Sequence, residues 1–157
     1  MKILLMRHGE ASVEAKRDFD RKLTPKGREV VDWRGAQLKE QGIVVAKLVV
    51  SPYIRTLETA ELIQAKLDGV ECVESNRITP DVIIEEALAE LWEQMSSANQ
   101  DVSSEEAGAV MVITHQPLIG ILIEHLTGHA RPMHPGDIVM IETPVTAAGF
   151  GEIVCEF

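Results

Sequence analysis

The segment Arg7-His8-Gly9 follows a short apolar run at residues 2–6 and carries side chains that could perform phosphoryl chemistry. Such a run is typical of a buried β-strand, so His8 would leave the strand at its carboxyl end, where Gly9 would let the backbone turn tightly. Ligands of open α/β sheets bind at this edge. A histidine held there can act as a nucleophile, and a neighbouring arginine can bind a phosphate through two parallel hydrogen bonds. By itself, the segment also fits a surface loop with a hydrogen-bonded histidine.

Two later segments place similar residues after other predicted strands. Ser51 and Pro52 follow a strand predicted over residues 44–50, and Arg55 lies in the first turn of the helix that they would begin. His115 follows the apolar strand predicted over residues 109–113. Because the carboxyl ends of parallel strands meet at one edge, these side chains would surround one dianionic phosphoryl group, aided by the N–H groups of a helix N-terminus. The predicted catalytic set is Arg7, His8, Arg55 and His115.

The elements that must position these residues alternate along the chain. Helices are predicted over residues 25–41, 53–66, 82–95 and 118–126, and further strands over 70–74, 137–143 and 150–157. Thr24 and Pro25 form a typical helix start, and Gly42 a typical stop. Residues 10–22 would form a loop over the strand end, and residues 96–108 a polar linker. The pattern predicts an α/β fold with three layers: a largely parallel sheet flanked by helices, with an antiparallel hairpin at its C-terminal edge.

Composition restricts the class of protein further. The chain has 157 residues, of which 45% are hydrophobic and 25% charged, as expected for a single domain over residues 1–157. The net charge of −10 disfavours nucleic acid and anionic membranes as partners. No stretch reaches transmembrane length. We therefore expect a cytoplasmic protein; its oligomeric state is left open, with a monomer as the simplest expectation.

Neither cysteines nor histidines indicate a metal centre. Cys72 and Cys155 lie far apart without a CxxC spacing, which suits a reducing compartment and argues against a zinc site. His125 and His129 are four residues apart, but Gly128 would end the helix between them. We predict no metal and no cofactor.

The motifs together resemble those of the histidine phosphatase superfamily, also known as phosphoglycerate mutase-like. The resemblance covers nearly the whole chain and is greatest to the SixA-type protein-phosphohistidine phosphatases. It is carried by Met6-Arg7-His8-Gly9-Glu10, the Leu23-Thr24 helix start, Ser51-Pro52-Tyr53-Ile54-Arg55-Thr56 and Thr114-His115-Gln116-Pro117.

This resemblance implies a role for each residue. His8 would attack phosphorus and carry the phosphoryl group as a phosphohistidine, while two arginines and a protonated His115 would stabilise the phosphoryl oxygens. Gly9 and Ser51 would also contact the substrate. Arg21 would touch the phosphate, and Asp18 would orient it or handle a proton, unless these two belong merely to a solvated charged loop.

The acid that protonates the leaving group is the point of departure from the superfamily. Many members place a glutamate after the third strand, but residues 76–81 contain no obvious match. Asp18, Asp81 and Glu86 remain candidates, and the role of His134 is open. An imidazole, with a pKa of about 6.5, leaves readily once protonated, whereas an alkoxide needs a strong acid. The sequence therefore favours phosphohistidine as the substrate.

The short chain has no room for a long insertion over the site, so a phosphohistidine on another protein's helix could enter. A phosphotransfer domain of a signalling relay or a carrier of a sugar-transport system is the expected partner. Two alternatives stay open: a small-molecule phosphomonoesterase or mutase, and a module that binds phosphate without turnover.

Overall fold

A mixed β-sheet forms the middle layer of the protein in a computed structural model, which describes residues 1–98 and 107–157. Its strands, in chain order, are β1 (Lys2–Arg7), β2 (Val45–Val50), β3 (Glu71–Glu74), β4 (Ala109–Thr114), β5 (Ile138–Glu142) and β6 (Glu152–Glu156). They lie in the order β3-β2-β4-β1-β5-β6. The first four strands are parallel, β5 is antiparallel to β1, and β6 is antiparallel to β5. The predicted α/β fold with an antiparallel pair at its C-terminal edge is confirmed.

Helices cover both faces of the sheet, and they are α1 (Pro25–Glu40), α2 (Ile54–Gln64), α3 (Ile84–Ala98) and α4 (Leu118–Thr127). Leu4 and Met6 of β1 pack on the side of α1 and α2, while Ile3 and Leu5 pack on the side of α3 and α4. All of these β1 side chains are fully buried, which explains why the strand is continuously apolar. No helix within the described ranges has the length and apolarity to cross a bilayer.

The helix ends follow local chemistry that the sequence displays. The Thr24 side chain accepts a hydrogen bond from the Gly27 N–H at 3.0 Å, and Pro25 is the first residue of α1. Gly42 after α1 and Gly128 after α4 both have positive φ, at 67° and 77°. These starts and stops are as predicted, and the remaining element ends differ from prediction by a few residues.

Two local predictions were wrong. The helix α2 begins at Ile54 with Tyr53 at its N-cap and without a side-chain cap, so Ser51 does not cap it. The linker predicted over residues 96–108 begins too early, because α3 continues through Ala98; residues 99–106 of that prediction lie outside the described residues.

The loop after β1 is closed at its neck by backbone hydrogen bonds. Ser12 N–H donates to the Lys22 carbonyl at 2.8 Å, and Thr24 N–H donates to the Glu10 carbonyl at 2.9 Å. A short 3₁₀ turn, Asp18–Asp20, lies within the loop. The two hydrogen bonds hold the ends of the loop together at the carboxyl end of β1, as the sequence predicts. The turn in the middle of the loop can therefore reach α2.

Gly9 and Gly27 allow the backbone after β1 to approach α1 closely. A Cβ at Gly27 would lie 2.2 Å from the Glu10 carbonyl oxygen, and one at Gly9 would lie 2.7 Å from a methyl of Val31. The backbone forms neither a turn nor a bend at residues 8–10, and Gly9 does not have a positive φ. Its predicted role in a tight turn is therefore wrong; it is needed because no side chain fits between β1 and α1.

We expect Gly27→Ala to lower the free energy of unfolding by about 2 kcal/mol, because overpacking against fixed backbone cannot be relieved by a rotamer change. Urea unfolding measures the loss. Gly35→Ala in the same helix is the matched control, since the nearest atoms to its Cβ belong to the Lys66 side chain, at 2.9 Å. A loss in Gly35→Ala as large as in Gly27→Ala would contradict this account.

Candidate active site

The parallel pairing of β1 with β4 brings two histidines together. Arg7 pairs with Thr114 across the two strands, so the residues that follow, His8 and His115, leave the sheet side by side. The backbone N–H of His8 donates to the Thr114 carbonyl at 3.1 Å, and the two imidazole centroids are 5.2 Å apart. The predicted convergence of these strand ends is therefore observed.

Arg55 reaches the same point from the first turn of α2. Its Nε–H donates to His8 Nε2 at 3.2 Å, and only 3% of the residue is exposed. The two imidazoles and this guanidinium thus occupy one small, buried volume. A planar guanidinium with several N–H donors is well suited to the oxygens of a phosphoryl group.

The hydrogen bonds of His8 determine which of its nitrogens carries a proton. His8 Nδ1 lies 2.7 Å from the carbonyl oxygen of Gly9, which can only accept a hydrogen bond. In the neutral ring Nδ1 therefore holds the proton and donates it to this carbonyl. Nε2 retains its lone pair, which faces the Arg55 N–H and can attack an electrophile.

The surroundings of His8 strongly favour its neutral form. Burial lowers the pKa of His8 to about 4; the Gly9 carbonyl opposes this effect, while the positive charges of Arg55, Arg7 and Arg21 add to it. The ring is therefore neutral at pH 7, and its Nε2 is available as a nucleophile without prior loss of a proton.

His115 is buried beside His8, and its Nε2 lies 2.7 Å from the Ser51 hydroxyl oxygen. Its Nδ1 is buried and finds no hydrogen-bond partner within the described parts of the chain. Burial, followed by the neighbouring His8 and Arg55, lowers the pKa of His115 to about 2. The prediction of a protonated His115 is therefore wrong for this arrangement, because burial next to cations disfavours another positive charge.

Arg7 is held at the site by the loop that precedes β5. Its Nη1 donates to the Met133 carbonyl at 2.7 Å, while its buried Nε has no partner among the residues described. Gly136 N–H donates to the carbonyls of Arg7 and His8, each at 3.1 Å. His134 is exposed, and its backbone N–H donates to Asp137 at 2.8 Å, so the structure shows it as part of this supporting loop.

Asp18 fixes the far side of the Arg55 guanidinium. Arg55 Nη1 donates to the Asp18 backbone carbonyl at 2.7 Å, and Nη2 donates to its carboxylate at 2.9 Å. Partial burial acts to raise the pKa of Asp18, but hydrogen bonds and charges from Arg55 and Arg21 outweigh it and hold the pKa below its usual value. Asp18 is therefore ionised at pH 7 and has no proton to donate.

Arg21 stabilises the loop around Asp18. Its side chain donates to the carbonyls of Ser12 and Ala11, at 2.8 and 3.2 Å, and to the Asp18 carboxylate at 3.1 Å. These bonds use each nitrogen of the guanidinium. In this structure Arg21 is placed to hold Asp18 rather than to face the histidines directly.

Two residues predicted to contact the substrate have other partners. The Gly9 N–H donates to the Thr59 hydroxyl at 3.1 Å, and Gly9 has no side chain to offer. Ser51 is fully buried, and its hydroxyl contacts His115. Gly9 therefore supports close packing and Ser51 positions a histidine, because each polar group is already used within the protein.

Two aromatic residues near the histidines were missed from the sequence. The ring of Tyr53 lies edge-on to His115 with centroids 4.8 Å apart, and the ring of Phe19 lies 5.0 Å from Tyr53. Tyr53 belongs to the segment that carries Arg55, so its position could have been inferred. Phe19 lies in a polar loop whose sequence gives no sign of its contact.

The other candidate carboxylates stand apart from this cluster. Asp81 and Glu86 are both exposed, and of the two only Asp81 acts on the site, through its charge on Tyr53. Within residues 1–98 and 107–157, no group of three or more histidine, cysteine or acidic side chains is arranged to hold a metal ion. The described cluster is thus built from imidazoles and guanidiniums.

Comparison with known proteins agrees with this geometry. The family profile described as Histidine phosphatase superfamily (branch 1) matches residues 3–79. Phosphohistidine phosphatase SixA of Escherichia coli is 29% identical over 134 residues, which are 85% of this chain and 79% of that protein. A solved structure of the protein histidine phosphatase SixA with tungstate is 26% identical, covers 100% of this chain and 96% of that one, and has a TM-score of 0.85.

A second class of relative matches a shorter region. The mitochondrial serine/threonine-protein phosphatase PGAM5 of Xenopus tropicalis is 41% identical over 69 residues. The match covers 44% of this chain and 25% of that protein.

We expect long-range ¹H–¹⁵N NMR spectra at pH 7 to show His8 protonated at Nδ1 and unprotonated at Nε2. Its titration midpoint should lie near pH 4, because burial and nearby arginines oppose the cation. Free histidine in the same buffer gives the reference midpoint. A midpoint near that of the free amino acid would contradict the described environment.

The lowered pKa of His8 also predicts how the free energy of unfolding depends on pH. The unfolded chain gains a proton on His8 as the pH falls through about 6.5, but the folded chain gains it only near pH 4, so acidification through this window lowers the free energy of unfolding. Between pH 7 and pH 5 the wild type should lose about 1 to 2 kcal/mol more than His8→Gln. Urea unfolding of both proteins at the two pH values measures the difference, and equal losses would contradict it.

Proposed function

Because this chain belongs to the histidine phosphatase superfamily, we propose that it is a protein-phosphohistidine phosphatase that works through a covalent phosphohistidine on His8. The single observation that carries this proposal is the His8 ring. It is neutral and oriented by Gly9, and the lone pair of its Nε2 accepts a hydrogen bond from Arg55 beside His115. A phosphoryl oxygen that takes over the Arg55 N–H would free this lone pair to attack phosphorus. A nucleophile among positively charged groups is what transfer of a phosphoryl anion requires.

The protonation state of His8 allows the transfer without a separate base. His8 Nε2 forms the new P–N bond while the bond between phosphorus and the substrate nitrogen breaks. Nδ1 keeps its proton throughout, and the Gly9 carbonyl, 2.7 Å away, stabilises the positive charge that the phosphorylated ring acquires. Water then attacks phosphorus, His8 leaves as the neutral ring, and the protons of that water depart with phosphate and solvent.

The arginines and His115 stabilise the phosphoryl oxygens in this proposal. Arg7 Nε and His115 Nδ1 are buried polar atoms for which the described residues supply no partner, so both are suited to the oxygens of a substrate. Removing one such donor typically lowers kcat about 10²- to 10³-fold. An arriving dianion would also oppose the forces that keep His115 neutral and so favour its protonation.

The state of Asp18 supports phosphohistidine as the substrate class. Because two arginines keep this carboxylate ionised, it cannot protonate a leaving alkoxide. An imidazole is the better leaving group, since it departs as a neutral ring when its other nitrogen carries a proton. The partner in this proposal is a phosphorylated histidine-containing domain or carrier protein, met in a reducing cytoplasm.

A second candidate activity is hydrolysis of phosphoserine or phosphothreonine. It is favoured by the 41% identity to a serine/threonine-protein phosphatase over 69 residues. Such a substrate would need an acid at the leaving side, and the exposed Asp81, whose charge acts on Tyr53, would be the candidate for this role.

We expect the wild type to release phosphate from a phosphohistidine-bearing phosphotransfer domain far faster than from a phosphoserine peptide or a sugar phosphate. Rapid quench with ³²P-labelled substrate should trap an acid-labile, alkali-stable label on the enzyme. His8→Ala should carry no label, because the attacking nitrogen is gone, whereas the control His129→Ala should be labelled like the wild type. Substrate binding without label or turnover in the wild type would indicate a binding module, and a preference for the esters would favour the second candidate.

We expect Ser51→Ala to lower kcat for phosphohistidine about 10-fold, the scale of one lost hydrogen bond, with a smaller change in KM. The cause is the loss of the only described partner of His115 Nε2, which leaves the ring free to turn. Stopped-flow turnover measures the effect, and Ser97→Ala on the exposed end of α3 is the matched control. An unchanged kcat in Ser51→Ala would show that this contact does not position His115.

A further inference from the structure

Four aromatic rings form a continuous line from the nucleophile to the protein surface. His8 contacts His115, His115 contacts Tyr53, and Tyr53 contacts Phe19, with ring centroids 5.2, 4.8 and 5.0 Å apart. The line begins at buried His8 and ends at Phe19, which is 40% exposed. The outer half of the line, Phe19 and Tyr53, has no role in the phosphoryl transfer described above.

The two outer rings are fixed to the same guanidinium that holds His8. The Arg55 Cζ atom lies 4.8 Å from the Tyr53 ring centroid. Phe19 follows Asp18 directly, and Arg55 binds both the backbone and the side chain of Asp18. Rotation of Phe19 and Tyr53 away from the site would therefore disturb Arg55. An exposed aromatic surface held this firmly beside an anion site is suited to a ligand with a flat, apolar ring.

We infer that the rings of Phe19 and Tyr53 form the surface that receives the imidazole ring of the substrate phosphohistidine. This inference rests on the proposed function and adds the residues that select its substrate. The phosphoryl group of a phosphohistidine projects from the edge of a planar ring, so a ring lying against Phe19 and Tyr53 can present phosphorus to His8. Alkyl phosphates have no ring, and the ring of a sugar phosphate is neither planar nor aromatic.

The charges beside these rings suit the same ligand. Tyr53 is partly buried, and the carboxylates of Asp81 and Asp18 both place negative charge near its phenol, which together raise the pKa of Tyr53. A carboxylate near the Phe19–Tyr53 surface favours a proton on the imidazole nitrogen that does not carry the phosphoryl group. When the P–N bond breaks, its electron pair returns to the departing nitrogen and the proton stays on the other nitrogen. The leaving group is then neutral imidazole, and no acid must act on the departing atom.

The test compares two substrates that share a P–N bond but differ in the ring. One is a peptide carrying phosphohistidine; the other is phosphoramidate, whose leaving group is ammonia. The measured quantity is the ratio of kcat/KM for the peptide to kcat/KM for phosphoramidate. We expect Phe19→Leu and Tyr53→Leu each to lower this ratio about 10-fold, which corresponds to one aromatic pair. Tyr53→Phe should keep the wild-type ratio, because it retains the ring.

Phe150→Leu is the matched control, since Phe150 is also exposed but lies at the C-terminal end of α4. Its neighbours Gly149 and Gly151 donate hydrogen bonds to the carbonyls of His125 and Leu126 there. Its ratio should equal that of the wild type. Equal losses on both substrates in Phe19→Leu would overturn the inference and leave the proposed function intact, because they would show that Phe19 only holds Asp18 and Arg55. A wild type that cleaves phosphoramidate but not phosphohistidine would overturn the proposed function and the inference together.

Discussion

The Arg55 guanidinium is a buried cation, and the arrangement of the site follows from the need to satisfy it. A buried charge without partners costs several kcal/mol, so groups that accept hydrogen bonds must gather around it. Asp18 supplies a carbonyl and a carboxylate on one side, and His8 Nε2 supplies a lone pair on the other. The loop after β1 is drawn onto α2 by the same contacts. A single side chain thus joins His8, the loop and the helix.

Around this cation the protein keeps two imidazoles neutral. Burial and neighbouring positive charge both oppose their protonation, so His8 and His115 have pKa values far below that of free histidine. The result is a site in which Asp18 pairs with Arg55, while the buried Arg7 Nε–H has no partner among the residues described. Dipoles and charges fixed before a substrate arrives cost no reorganisation during a reaction, and they act strongly here because His8, Arg55 and His115 are buried. The net charge of −10 for the whole chain does not prevent an anion from binding here, since distant surface charges are screened by salt.

Supporting residues do as much to define the site as the residues that face it. Ser51 orients His115, Gly9 and Gly27 let β1 approach α1, and Met133 holds Arg7 through its carbonyl. None of these roles is visible in a motif, because each depends on a partner more than 15 residues away. For the same reason, the interpretation of Ser51 as a helix cap was reasonable from local spacing and wrong in the structure. Its hydroxyl contacts the buried His115 imidazole instead of the N-terminus of α2.

The sequence alone determined the layers of the fold and which edge of the sheet carries the candidate site. Apolar runs bounded by Gly, Pro, Ser and Thr fix strands and helices through local chemistry, and parallel strands necessarily bring Arg7, His8, Arg55 and His115 to one edge. Only the tertiary structure decided the protonation states of the histidines, the pairing of Asp18 with Arg55 and Arg21, and the line of rings that ends at Phe19. These features depend on burial and on distances between side chains from separate elements, and neither quantity is encoded in local spacing.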